Sequence, residues 1–156
     1  MRQATQDDAR VISDILIEAA RWLEQTGRPL WRIEDLSPPI IATQVDLFFL
    51  AEVNREAIGI LKFQTEDNLF WPDLSYPDAA YIHRVAVRRS FAGLKISHRI
   101  LAWAVAHARS LGKSYLRLDC EAARPGLRAV YENFGFDHHS DRQVGPYFVA
   151  RYEYKL

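Results

Sequence analysis

The tightest constraint on this chain lies between residues 80 and 121. There the strand-like run Ala80-Tyr81-Ile82-His83-Arg84-Val85-Ala86-Val87 passes into a basic loop, a helical pattern and a second strand-like run at 114–120. The helical pattern carries Ile100, Leu101, Ala104, Ala108 and Leu111 and ends at Gly112. Parallel strands need a connection of about a dozen residues or more, usually a helix, so this order predicts a right-handed crossover. The runs at 46–53 and 57–64, separated by Asn54-Arg55-Glu56, predict an antiparallel hairpin. A sheet holding both must be mixed, mostly antiparallel and covered by helices on both faces, which is the α/β class.

The remaining segments fit that frame. Thr5-Gln6-Asp7-Asp8 matches a loose capping box, and Ile12, Ile15, Leu16, Ala19 and Leu23 follow at helical spacing. Gly27-Arg28-Pro29 ends that helix, and a weaker helical piece is expected at 40–44, after Pro38-Pro39. Residues 65–78 read as loop. Pro125 suits the first position of a helix whose stripe is Leu127, Val130, Tyr131 and Phe134, closed by Gly135; a last β-rich segment spans 147–154.

At 156 residues the chain is long enough for one domain, and it contains no repeat or linker. Twenty basic residues cancel twenty acidic ones, so no broad positive field exists for nucleic acid or an acidic membrane, and an anion site must be local. The N-terminus lacks an apolar signal region, and the apolar stretches at 47–51 and 100–106 fall far short of the roughly 20 residues of a membrane span. The single Cys120 can form neither an internal disulfide nor a multi-thiolate metal site. The expected location is therefore the cytoplasm.

The loop after residue 87 is the best local anion site, because a helix start offers N–H groups and the positive end of a dipole. Arg88, Arg89, Lys95 and Arg99 add charge there. Neither a Gly-rich dinucleotide fingerprint nor a nucleotide P-loop occurs.

Residues 81–93, Tyr-Ile-His-Arg-Val-Ala-Val-Arg-Arg-Ser-Phe-Ala-Gly, and 127–136, Leu-Arg-Ala-Val-Tyr-Glu-Asn-Phe-Gly-Phe, together with the order of elements, resemble the GNAT superfamily of acyl-CoA-dependent N-acetyltransferases over nearly the full chain. The resemblance implies a bulged strand leading into a Q/R-x-x-G-x-G/A loop whose amides bind the CoA diphosphate. It also implies a pantetheine arm lying between two splayed parallel strands, here 80–87 and 114–120. The cofactor residues it implies are Val85, Val87, Arg88, Ala92, Gly93, Leu94, Lys95, Ile96, Ser97 and Tyr131. In this register Ala92 replaces Gln or Arg, Lys95 replaces Gly, and Ser97 replaces Gly or Ala. Lys95 puts a side chain where glycine allows close approach to phosphate, while Ser97 could cap the helix with its hydroxyl.

The resemblance also implies Tyr131, four residues before Gly135-Phe136, as the acid that protonates the leaving thiolate. A phenol at pKa about 10 gives its proton to a thiol-forming group near 8.5 at a cost of roughly 2 kcal/mol. Its competing reading is a core aromatic. For the base, His83 suits neutral pH in its unperturbed state and Glu121 is the second candidate; a hydrogen-bonded structural histidine is the alternative. Cys120 is expected to be an inert buried thiol rather than an acyl carrier. His138 and His139, adjacent on a strand, point to opposite faces, so no metal is expected.

Trp22, Trp31, Trp71, Tyr76 and Tyr147, with Glu34, Asp35 or Glu52 to attract an ammonium, are candidates to line an acceptor pocket, or equally a core or dimer patch. The leading expectation is acetyl transfer from acetyl-CoA to a primary amine of a small molecule or peptide, by direct transfer in a ternary complex. A non-catalytic acyl-CoA sensor is the alternative, and a nucleic-acid module a distant third. No nucleic acid, membrane or metal partner is expected; a second copy of the chain is a candidate partner.

Overall fold

A computed structural model describes residues 1–74 and 77–156. Among them run strands β1 (Arg2–Gln3), β2 (Phe48–Val53), β3 (Glu56–Gln64), β4 (Ala79–Val87), β5 (Tyr115–Glu121), β6 (Asp137–Val144) and β7 (Tyr147–Lys155). The α-helices are α1 (Ala9–Gln25), α2 (Pro38–Ala42), α3 (Ile96–Ser110) and α4 (Pro125–Phe134). The strands form one mixed sheet in the order β1-β2-β3-β4-β5-β7-β6, flanked by helices. β4 and β5 pair in parallel from Ala79 opposite Tyr115 to Ile82 opposite Leu118, and α3 supplies the crossover. No helix among the described residues is long and apolar enough to cross a membrane.

The chain packs as two compact units, Met1–Lys62 with Arg84–Ile100, and Phe63–His83 with Leu101–Leu156. In the first, α1 buries Ile12, Ile15, Leu16 and Ala20 against Leu36, Ile41, Phe48, Leu50 and Ile60. The helix entry is fixed by charge. The Asp8 carboxylate accepts from the Thr5 amide at 2.8 Å and from two Arg2 guanidinium nitrogens at 2.7 Å, tying β1 to the start of α1. Those bonds from Arg2, outweighing partial burial, hold the carboxyl well below the usual range. In the second unit Trp71 packs fully buried against Ala79 and Tyr81.

Three elements differ from expectation. The short helix α2 begins at Pro38 rather than after the two prolines, since a helix's first turn needs no N–H donors and proline's φ already suits it. β1 has no sequence signature as a strand, and of β6 only His138-His139 is placed on one by the sequence. β6 reads Asp-His-His-Ser-Asp-Arg-Gln-Val, polar and largely exposed, and it exists because β7 offers it a pairing edge. The expected hairpin is present, and its turn residues Asn54 (φ 51°) and Arg55 (φ 69°) are both left-handed, the condition for the tight turn whose twist matches its strands.

Gly59 on β3 shows how tightly the first unit closes. A Cβ there would lie 3.0 Å from both the Ala86 carbonyl oxygen and Ile100 Cδ1. A backbone oxygen cannot swing aside, so Gly59→Ala is expected to cost about 1–3 kcal/mol through overpacking. Its urea midpoint should fall with unchanged slope; an unchanged midpoint would mean that β3 has slack.

Candidate active site

The basic loop after β4 is built on two left-handed residues. Gly93 has φ 82° and Lys95 φ 56°, and between them they turn the chain into α3. The Lys95 carbonyl accepts the Arg99 amide at 3.2 Å, so helical bonding starts at Lys95. The next amides have no acceptor within the helix and stand at the positive end of a 15-residue dipole. Ser97 lies inside the first turn, not before it, so the capping role expected of its hydroxyl does not apply. Lys95 is exposed yet adopts the backbone that glycine takes without strain; for a residue with a Cβ this costs about 1 kcal/mol or more.

The arginines of this loop are partly committed. Arg88 donates to Glu18 Oε2 at 3.0 Å and to the Ala57 carbonyl at 2.9 Å. The Arg89 amide donates to Glu18 Oε1 at 2.6 Å, and its guanidinium sits 3.8 Å from the centre of the Trp22 ring. These contacts brace the loop against α1 and neutralise part of its charge.

His83 on β4 and Asp119 on β5 follow directly after the last residues of the parallel register, Ile82 and Leu118. His83 Nδ1 lies 3.3 Å from Asp119 Oδ1, and Nε2 lies 3.1 Å from Asp67 Oδ2. Asp67 Oδ2, Asp119 Oδ1 and His83 Nε2 are closed to solvent and lack the alignment of true hydrogen bonds, so the attraction is ionic. Burial alone would lower the imidazole's pKa, but the Asp119 and Asp67 carboxylates outweigh it and raise it to about 9. A neutral ring facing two carboxylates would aim a lone pair at one of them, which is why the charged form wins. Asp67 is held below its usual range, burial being outweighed by His83 and by the Phe70 and Leu69 amides.

One ligand atom from each of these three residues lies within 4.8 Å of the others, the spacing a cation could use. The two ring nitrogens face different carboxylates, however. Each carboxylate can therefore pair with its own ring N–H when the histidine is charged.

Tyr131 on α4 packs against Phe136 and Tyr152, with ring centres 6.1 and 6.3 Å away. Burial pushes its phenol well above the ordinary value, and Cys120 and Asp119 add to the shift. The same burial raises the Cys120 thiol to about 12, so it stays protonated at neutral pH and is a poor nucleophile. Glu121, at the end of β5, is ion-paired with Arg124.

The sequence model of the acetyltransferase (GNAT) family matches residues 16–136. The chain belongs to that family. It is 30% identical over 142 residues to the uncharacterized N-acetyltransferase YesJ of Bacillus subtilis (strain 168), covering 86% of this chain and 79% of that protein. A GNAT-family acetyltransferase of Listeria monocytogenes superposes with a TM-score of 0.84 at 25% identity, over 99% of this chain and 93% of the other. A PaiA N-acetyltransferase of Thermoplasma acidophilum, solved with coenzyme A, has a TM-score of 0.74 at 15% identity, over 98% and 97%.

In this acetyltransferase the residues expected to form a site fall into separate groups. Val85, Val87, Arg88, Ala92, Gly93, Leu94, Lys95, Ile96 and Ser97 belong to the first unit; His83, Glu121 and Tyr131 belong to the second. Of the aromatics, Trp71 is core, Trp22 is covered by Arg89, and Tyr147 is exposed; Tyr76 lies outside the described residues. Glu52 pairs with Arg2 at 2.9 Å, while Glu34 and Asp35 lie 3.9 and 4.0 Å from Arg32. His138 bonds Asp141 at 2.8 Å, and His139 bonds Ser140 at 2.8 Å. Sequence reasoning missed Asp67, Asp119 and Arg84. A His-Arg pair interrupting an apolar strand was the available signal for Arg84; nothing local marked the two aspartates as partners of His83.

The histidinium has a consequence for stability. Its pKa is higher folded (about 9) than unfolded (about 6.5), so its contribution is whole below pH 6.5 and lost as pH rises through 9. The expected loss across that window is of order 3 kcal/mol. Denaturation midpoints should fall from pH 6.5 to 9 in the native protein, and His83→Gln should flatten that limb; parallel limbs would show that the charge of His83 does not hold the fold.

Proposed function

We propose that this acetyltransferase moves an acetyl group from acetyl-CoA to a primary amine of a small molecule or peptide, directly within a ternary complex. The observation that carries the reading is the turn at 92–97, where left-handed Gly93 and Lys95 present the first amides of α3. Open space around Gly93, where an added Cβ would touch nothing within 4 Å, leaves room for a diphosphate against the main chain. The coenzyme A held by the Thermoplasma relative of the same fold supports this choice of donor. Val85 and Val87 offer β4 backbone to the pantetheine arm, and the thioester supplies an activated acyl group.

Tyr131 is the proposed acid. Burial raises the pKa of its phenol, which keeps it protonated at every physiological pH and makes it a weaker acid than a free phenol. Burial also raises the proton affinity of a thiolate, which narrows the mismatch between the two groups. For an amine of pKa about 10.4, reaching the neutral form at pH 7 costs about 4.6 kcal/mol whatever takes the proton. A base provides a nearby place for that proton. His83 is the proposed acceptor in its neutral form, and Glu121, paired with Arg124, is the second candidate. Because Cys120 stays a thiol, the amine is taken to attack the thioester itself rather than an acyl-enzyme.

Thiol release from acetyl-CoA with a panel of primary amines tests the reading. Turnover in at least one case, with Tyr131→Phe lowering kcat about 10²-fold or more, is the expected result. CoA binding without turnover for any amine would favour the sensor instead. The rate should rise with pH toward a limb near 9, and His83→Gln should move that limb toward the pKa of the acceptor amine; an unmoved limb would remove His83 from proton transfer.

A further inference from the structure

The partly buried arginines of this protein obey a rule that one of them breaks. Arg117 and Arg151, each 4% exposed, are both answered: Arg117 donates to Glu153 at 2.7 Å, and Arg151 forms two bonds to Asp73 at 2.6 and 3.1 Å. Arg84 is not. Its Nη1 is closed to solvent and has no hydrogen-bond partner among the described residues, and no carboxylate there forms an ion pair with it. Asp35 acts on it only from beyond contact and is itself 4.0 Å from Arg32. Burial accordingly depresses the guanidinium's pKa, although an arginine keeps its charge in any protein. The backbone at Arg84 is also left-handed (φ 51°) within β4, a conformation that residues with a Cβ keep only where their surroundings impose it.

An unanswered guanidinium held in a rare backbone geometry inside a strand is poorly explained by stability, which would be better served by an apolar side chain. The chemistry that answers it is a planar anion able to take two parallel N–H bonds. The diphosphate of the donor already has the amides at 92–97. We propose that Arg84 is a specificity residue for the acceptor, taking a carboxylate carried by the amine substrate, so that the preferred acceptors are amino acids or similar amino carboxylates. This rests on the acetyltransferase reading above.

The experiment compares matched acceptors with and without the carboxylate, lysine against cadaverine and phenylalanine against phenethylamine, using acetyl-CoA and the full chain. In the native enzyme the carboxylate-bearing member should have a KM at least tenfold lower. Arg84→Gln should abolish that preference while the KM for acetyl-CoA stays unchanged, and Arg84→Lys should keep part of it. A native enzyme with no preference, or a preference that survives in Arg84→Gln, overturns the proposal. A rise confined to the KM for acetyl-CoA also overturns it, because the anion would then belong to the donor. Should no amine turn over at all, the acetyltransferase reading fails separately. Calorimetric titration with lysine or phenylalanine then decides: binding lost in Arg84→Gln supports the assignment, and equal binding defeats it. Removing an unpaired charge should leave the melting temperature equal or higher; a clear fall would show that Arg84 has a structural partner and no vacancy for a ligand.

Discussion

Parallel strands cannot be joined by a tight turn, and this protein is organised around that fact. The pairing of β4 with β5 obliges the chain to leave the sheet after Val87, climb through α3 and return at Tyr115. The connection 88–95, with a 3-10 turn at Arg89–Phe91, leads from the strand that holds His83, Arg84, Val85 and Val87 to the amides that open α3. The proposed main-chain anion site and the strand proposed to face the pantetheine arm are thus joined by one connection. That reading needs no separate cluster of positive charge, which agrees with a chain of net charge zero whose arginines at 88 and 89 are partly committed to Glu18 and Trp22.

The second principle is the handling of charge away from water. A buried ion is tolerable when a partner replaces its hydration. Asp8 with Arg2, Arg117 with Glu153 and Arg151 with Asp73 all follow that pattern and fasten elements distant in sequence. His83 follows it with a twist: two carboxylates converge on one ring, and their combined field overrides burial to fix the charged form. That reverses the property for which the histidine is attractive in the sequence, an unperturbed value near neutrality, and places its proton exchange at alkaline pH. Arg84 differs from these groups in that its Nη1 has no hydrogen-bond partner among the described residues, the observation on which the acceptor proposal rests.

Much of the architecture was legible beforehand because it depends on local rules. The stripe at Ile12, Ile15, Leu16 and Leu23, the helix closed by Gly135 and the strand–loop–helix order after residue 80 each follow from side-chain periodicity and from glycine or proline at the ends. The polar strand β6 is legible in the sequence only at His138-His139, because its reason to be extended is the edge of β7, a partner that no local pattern reveals. Lys95 likewise looked like a fault in a glycine position. The folded chain holds it left-handed all the same, paying in strain for the geometry that glycine would adopt freely.

The amino-acid order by itself therefore determined the class of sheet, the crossover and the loop that opens α3, since these arise from spacing and backbone preference over neighbouring residues. Only the tertiary structure decided which charges meet. Asp67, His83 and Asp119 come from a loop and two strands, and the ionisation of the histidine depends on distances of 3.1 and 3.3 Å that exist only after folding. That Arg84 Nη1 has no hydrogen-bond partner among the described residues is likewise visible only in the folded chain. Electrostatic energy varies with separation and with exclusion of water, and neither quantity is written in a linear sequence.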